Sequence, residues 1–219
     1  VSTWLITHPS CLAHNTGNGH PEHIDRLRAI LAALETPAFA ELERHAATPV
    51  SREALEWVHT PAYIDQVLAA IPKTGHVHLD ADTVVSPDSG EAALCAAGAA
   101  VKGIDAIVAG HARRVFCAVR PPGHHAEPAQ AMGFCLFNNV AIAAFHAQKV
   151  HGIQRVAVVD FDVHHGNGTQ TMLANQPGMF YLSLHEHPLF PGTGTRRDNR
   201  PDNILNLPLP AGTDSASYR

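Results

Sequence analysis

The 219-residue chain carries a formal charge of −5, with 45% hydrophobic and 16% charged residues. A chain of this length and apolarity can bury a core as one domain over residues 1–219 or as part of a larger one, which excludes a disordered tail. Its longest basic runs are the pairs Arg113-Arg114 and Arg196-Arg197, so neither direct nucleic-acid binding nor an anionic membrane surface is expected.

In chain order, TWLITH at residues 3–8 is strand-like. GHPEHIDRLRAILAALE then places Pro21 near a helix start and repeats Leu and Ile at helical spacing. Ser51 is a suitable N-cap for REALEWVHT, and PAYIDQVLAAI continues as a second amphipathic helix. Ser86-Pro87-Asp88-Ser89 opens a long Ala-rich helix that Gly110 ends. That helix is interrupted by Lys102 and Asp105, so it fails the test of roughly 18 uninterrupted apolar residues for a membrane span. RRVFCAVR is a strand closed by Pro121-Pro122-Gly123, NNVAIAAFHAQKV a helix, and RVAVVDFDV, MFYLSLH and NILNLPL are strands. Strands separated by helices imply an α/β fold, a parallel sheet with right-handed crossovers and helices on both faces. The four cysteines, Cys11, Cys95, Cys117 and Cys135, form no CxxC pair and read as reduced thiols. No basic segment followed by an apolar one opens the chain, so a cytoplasmic location is expected.

Of the 17 histidines, His8, His14, His20, His23, His45, His59, His76, His78, His111, His146 and His151 read as solvated imidazoles on loops and helix surfaces. The informative ones are the pairs His124-His125 and His164-His165. In VVDFDVHHGNG, residues 158–168, alternation along a strand puts Asp160, Asp162 and His164 in one row at its C-terminal end. That is the edge where parallel α/β sheets place ligands. Two carboxylates and an imidazole crowded in an apolar setting cost several kcal/mol unless something compensates them, and a divalent metal does so. Asp-x-His supplies an oxygen and a nitrogen donor of the kind zinc accepts; a catalytic site needs a third and an open position for water. The vicinal His124-His125 pair is suited to sit over a substrate, one ring taking a proton and the other returning it. Asp160 and Asn167 are available to hold their far nitrogens.

RPPGHHAEPAQAMGFCLFNNVAIAA, VVDFDVHHGNGTQ, SLHEHPLFPGTG and the early HPSCLAHNTGNGHPEHIDRLRAI together resemble the zinc-dependent histone deacetylase family. The likeness is greater to class II and the bacterial histone deacetylase-like amidohydrolases than to class I. It implies the α/β sheet shared with arginase, Zn2+ on Asp162 and His164, and tandem catalytic His124 and His125. Asp160 would back His124, and Asn167 would back His125 where class I has a carboxylate. Gly133, Phe134 and Phe190 match positions walling the family's acyl-lysine tunnel. Asp160, Asp162, His164, Ser183 and Leu184 match its structural K+ site. Arg26 matches an arginine near its internal channel. Asp82 matches a rim aspartate that grips substrate, although DADTVVSP equally suits a turn or cap.

The implied activity is hydrolysis of the amide in an acetylated lysine side chain or a small N-acetylated amine such as an acetylpolyamine. The family's third zinc ligand, in an Asp-Ala-His segment, and its oxyanion tyrosine, in a Gly-Gly-Tyr segment, have no counterpart here. Asp198, Asp202, Asp214 and Tyr218 lack that context. The chain is therefore expected to be the N-terminal portion of a catalytic domain, its sheet incomplete at the C-terminus. The alternative is a pseudoenzyme or fragment that only binds metal or protein; an arginase-like two-metal hydrolase fits the tandem histidines poorly.

Overall fold

Two short strands with opposite surroundings frame the molecule, whose computed structural model describes residues 2–218. β1 (Thr3–Thr7) is flanked by parallel partners on both sides, whereas β6 (Val156–Asp160) is paired on one side only. Between β1 and β6 come α1 (Ser10–Ala13), α2 (Ile24–Leu34), β2 (Glu43–Ala46), α3 (Arg52–Glu56), α4 (Pro61–Ala69), β3 (Val77–His78), β4 (Val84–Val85), α5 (Ser89–Val108), β5 (Arg114–Cys117) and α6 (Asn139–Lys149). After β6 follow α7 (Asn167–Leu173), β7 (Met179–Glu186), β8 (Ile204–Leu209) and α8 (Ser215–Tyr218).

The fold is α/β with parallel strands covered by helices, but the strands form two three-stranded sheets, β2-β1-β5 and β6-β7-β8, plus the small antiparallel pair β3-β4. α5 packs on β1 and β5, α6 packs on β6, and the two helices pack on each other, so they join the sheets from behind. α5 is Ala-rich and carries Gly98 against the carbonyl of Thr48, which lets it lie close to the first sheet. The largest cluster of buried side chains runs from Leu55, Tyr63 and Ile64 through Phe137 and Ile142 to Leu173, Tyr181 and Ile204. Among the described residues, β5 and β6 each leave one edge unpaired. Phe116 on β5 and Val159 on β6 stay exposed, as do Phe161 (77% exposed) and Val163 just beyond β6. The α/β class with helix-covered parallel strands agrees with the expectation from the sequence; the division into two sheets is what the structure adds.

Local chemistry sets several helix starts. Ser51 Oγ accepts from the Ala54 N–H and Thr60 Oγ1 from the Tyr63 N–H, with Pro61 in the first turn of α4. α2 starts at Ile24 under a His23 cap, later than Pro21 suggested. β2 and the β3-β4 pair, at two to four residues each, were too short to leave an alternation pattern. No helix among the described residues is long and apolar enough to cross a membrane.

Candidate active site

β6 stops at Asp160, so Asp162 and His164 do not extend a strand row; they lie in the bends that follow. What aligns them is a chain of side-chain-to-backbone bonds. The Asp162 N–H donates to Asp160 Oδ1 at 3.2 Å, and the His164 N–H donates to Asp162 Oδ1 at 2.8 Å. Each aspartate thus closes a tight turn two residues long, the geometry Asp favours. α7 begins three residues later, and its Thr169 N–H bonds the His124 carbonyl at 3.1 Å. Gly168 permits this: a Cβ there would collide with the backbone carbonyl of Ala126.

The two vicinal imidazoles lie side by side, with ring centroids 4.0 Å apart. His124 Nδ1 is 2.9 Å from Asp160 Oδ2, and His125 Nδ1 is 2.8 Å from Asn167 Oδ1. Asn167 Nδ2 donates onward to Glu127 Oε1 at 2.6 Å, which fixes the amide so that its oxygen faces His125. The buried Tyr181 hydroxyl lies 3.0 Å from Asp160 Oδ2. These environments drive the imidazoles apart. Burial works against a charged His124, but the bond and charge of Asp160, with Asp162 beyond, prevail and raise its pKa. Burial first, and then the neighbouring His124 charge, push His125 down to about 4. Asp160 is itself pushed up by burial but held below the usual carboxylate range by His124, the Asp162 N–H and Tyr181.

Asp162 Oδ1 and His164 Nδ1 stand 3.1 Å apart, and both side chains are partly open to solvent. Two donors on one tetrahedral ion at about 2.0–2.1 Å are separated by roughly 3.3 Å, so this pair fits two corners of a metal's shell. His124 Nε2 is 4.0 Å from Asp162 Oδ1. Among the described residues, the groups that bring three metal-type donors together lie elsewhere, so this site supplies two. His165 turns away: it is buried between Thr193 Oγ1 at 2.8 Å and Gln170 Oε1 at 3.0 Å.

The other expected residues divide. Phe190 sits edge-on to His125 at 5.1 Å and to His164 at 6.2 Å. Gly133 also lies against His125: a Cβ on it would collide with the ring. Phe134 follows with φ 68, its ring edge-on to His20 at 4.8 Å, and its N–H donates to Thr83 Oγ1. Asp82 lies nearby, its carbonyl 2.9 Å from Nε2 of the same His20. The turn-forming role falls to Asp80, whose Oδ1 accepts from the Asp82 and Thr83 N–H groups. Ser183 pairs with Asp160 across β6 and β7, and Leu184 follows it on β7. Arg26 lines a cavity of about 160 Å³ with Glu22, Leu27, Phe116 and Arg120.

The Histone deacetylase domain model matches residues 20–219. The chain belongs to the histone deacetylase family. Its relatives include a Synechocystis sp. protein of uncharacterized role, 44% identical over 220 residues that cover 98% of this chain and 72% of that protein. The histone deacetylase-like amidohydrolase of Pseudomonas aeruginosa is 38% identical over 206 residues, covering 91% of this chain and 54% of the amidohydrolase. The crystal structure of the HDA15 HD domain superposes with a TM-score of 0.89 at 36% identity, covering 94% of this chain and 61% of that one. This chain therefore spans little more than half the length of the amidohydrolase.

Within this deacetylase-family chain, several supporting residues had escaped sequence reading. Tyr181, Glu127 and the Arg120–Glu22 pair hold the site from behind. Arg120 Nε donates to Glu22 Oε1 at 2.5 Å and its Nη2 to Oε2 at 2.6 Å, while Nη1 donates to the carbonyls of Cys11 and His14. Arg120 immediately precedes the Pro121-Pro122-Gly123 turn that delivers His124. His14, His59 and His146, expected on the surface, are buried. Each has a side-chain or backbone partner that sequence spacing does not reveal.

Proposed function

We propose that this chain carries the proton-transfer pair and two metal donors of a zinc-dependent deacetylase, acting on an acetylated lysine side chain or a small N-acetylated amine. The observation that carries the reading is the pair of touching imidazoles, each held at Nδ1 by a different oxygen beside Asp162 and His164. Zinc held by Asp162 and His164, when bound, would polarise the acyl carbonyl and acidify a water. His125, facing a neutral amide and kept uncharged by burial, is suited to accept a proton at Nε2. His124, backed by Asp160, is suited to hold one and release it to the departing amine. Phe190 and Gly133 flank His125: one offers an apolar wall and the other leaves room for a flat acyl group. Phe134 and Asp82 form the outer rim in this reading. Asp160, Ser183 and Leu184 take the part of a structural K+ site, a role that rests on family resemblance and on the pairing of Asp160 with Ser183.

Two protein donors hold zinc weakly. Among the described residues no third donor joins them, and the chain spans 54% of the length of the amidohydrolase it matches. A cavity of about 520 Å³ along the unpaired edge of β6, lined by His124, Asp160 and Asp162, offers space beside the donors. The test uses the full-length protein with zinc restored. His164→Ala is expected to lose the zinc equivalent held by Asp162 and His164, and His125→Ala to keep it while losing deacetylation of an acetyl-lysine peptide. A zinc stoichiometry unchanged between wild type and His164→Ala overturns the ligand assignment, and absence of turnover in the zinc-loaded full-length protein leaves a metal-binding module as the reading.

A further inference from the structure

At the end of α6 away from the histidine pair, three further donors converge. Asp105 on α5, His146 on α6 and His151 in the turn after α6 meet at a single carboxylate oxygen. His146 Nε2 is 2.6 Å and His151 Nε2 2.7 Å from Asp105 Oδ1, and the two rings lie edge-to-face at 5.1 Å. Burial is graded across the cluster: the His146 side chain is 10% exposed, His151 21% and Asp105 50%. Trp57 stacks over His146 at 5.9 Å and closes the inner wall. Burial disfavours charge on Asp105, yet the bonds from both imidazoles hold its carboxyl below the usual range.

We infer that Asp105, His146 and His151 form a second metal site, for a late first-row divalent cation such as Zn2+. Two imidazoles and a carboxylate match the donor preference of zinc or cobalt and not that of Mg2+ or Ca2+, which take oxygen shells. Seating the ion requires the Asp105 oxygen to move from about 2.7 Å to roughly 3.3 Å from each nitrogen. The half-exposed carboxylate has the freedom to make that movement. Each ring gives up its Nε2 proton, by tautomeric shift to Nδ1 where the ring is neutral, and turns a lone pair to the ion. The exposed Asp105 side leaves the remaining position to water. Lys102, one helical turn away, has its ammonium engaged by the Ala46 carbonyl at 2.7 Å.

The location gives the ion a structural consequence. It ties the C-terminal end of α6 to α5, the helix pair joining the two sheets. At the other end of α6, Asn138 caps the helix through its Oδ1 and donates from Nδ2 to the Ala126 carbonyl, next to His125. An ion at one end of α6 therefore stiffens the helix whose start braces the histidine loop.

The site is separated from the Asp162–His164 donors by testing it in a full-length His164→Ala background. Equilibrium dialysis against Zn2+, and Co2+ titration followed by its visible spectrum, are expected to find one bound equivalent and a rise in melting temperature. Adding His151→Ala, a change in the turn after α6, is expected to weaken that binding at least tenfold and abolish the thermal shift; Asp105→Asn does the same without removing the imidazoles. Absence of bound metal in the His164→Ala parent overturns the inference, as does unchanged affinity in His151→Ala. Thiolate charge-transfer bands that survive His151→Ala also overturn it, by placing the ion at the cluster of His8, Glu91 and Cys95.

Discussion

His125 donates from Nδ1 to Asn167 Oδ1 at 2.8 Å, and the same amide donates from Nδ2 to Glu127 Oε1 at 2.6 Å. The amide is thereby locked between an imidazole that must be a donor at Nδ1 and a carboxylate that must accept. Because its partner is neutral, His125 gains no counter-charge, and burial with the adjacent His124 sets its pKa near 4. Asn167→Asp puts a carboxylate behind the ring and is expected to raise the His125 pKa by a unit or more, since one unit is about 1.4 kcal/mol of added preference for imidazolium. It also sets two carboxylates face to face at Glu127, so stability should fall by about 1–3 kcal/mol. Titration of the ring nitrogens by NMR in metal-free protein reads the first effect, and urea unfolding the second. A His125 titration unmoved by the new carboxylate would mean that burial alone governs this ring.

Acid sensitivity follows from buried histidines outside the site. Burial pushes His14 and His59 each down to about 4. For His59 the cause is visible: Nδ1 donates to the Glu127 carbonyl, while Nε2 accepts from the Asn138 N–H. A proton on Nε2 would face a donor. The unfolded chain binds this proton near pH 6.5 and the folded chain near 4, so stability is full above about 6.5 and is lost as pH falls toward 4. Each histidine contributes at most about 3 kcal/mol to that loss. Urea midpoints measured from pH 7 to 4 should fall steadily, and His59→Gln should lower the plateau while flattening the slope. Equal slopes in the two proteins would remove His59 from the account.

These histidines also mark what the sequence could carry. Alternation and capping residues were enough for the order of strands and helices, because Ser51, Thr60 and the Ala-rich run of α5 act through near neighbours. The motif around Asp160 names the side chains that gather there, but not the reason for their alignment. A strand row was expected, and successive aspartate-closed turns do the work instead. His14 bonds Ser89, 75 residues away, and His146 bonds Asp105, 41 away. Burial set by such distant partners has no local signature. The separation of the strands into two sheets likewise depends on which edges meet, which periodicity within a strand does not encode.

Gly133 and Phe134 form the corner of a tight turn, with the Cys135 N–H bonded to the Met132 carbonyl at 3.0 Å and φ of 54 and 68. Both central residues at positive φ is the pattern that favours glycine or asparagine, and a phenylalanine there costs about 1–2 kcal/mol. Gly133→Ala would drive its Cβ into the His125 ring. It is expected to break the His125–Asn167 bond and, under the function proposed above, to cut turnover about 100-fold, as a displaced proton carrier does. Phe134→Asn should leave stability level or slightly higher, while weakening substrate binding. A stability loss from Phe134→Asn comparable to that of Gly133→Ala would show that the ring, and not the backbone, dominates this turn.

Glu22 and Arg120 form a buried pair whose loss can be apportioned. Glu22→Gln leaves the guanidinium without a counter-charge in a site almost closed to solvent, at a cost of about 3–5 kcal/mol. In many proteins an apolar pair of similar volume restores what such a single change removes. Here Arg120 Nη1 also supplies the hydrogen bonds for the carbonyls of Cys11 and His14, and Nη2 one for that of Glu22. The double change Glu22→Leu with Arg120→Met removes the charge problem but strands those oxygens, at about 1–3 kcal/mol for each left buried. It is therefore expected to remain destabilised by at least as much as Glu22→Gln. Denaturant unfolding of the two single variants and the double measures this directly; recovery to wild-type stability would assign the whole role of Arg120 to its charge. The same loss should loosen the Pro121-Pro122-Gly123 turn, so proteolysis near His124 ought to accelerate in step with the stability change.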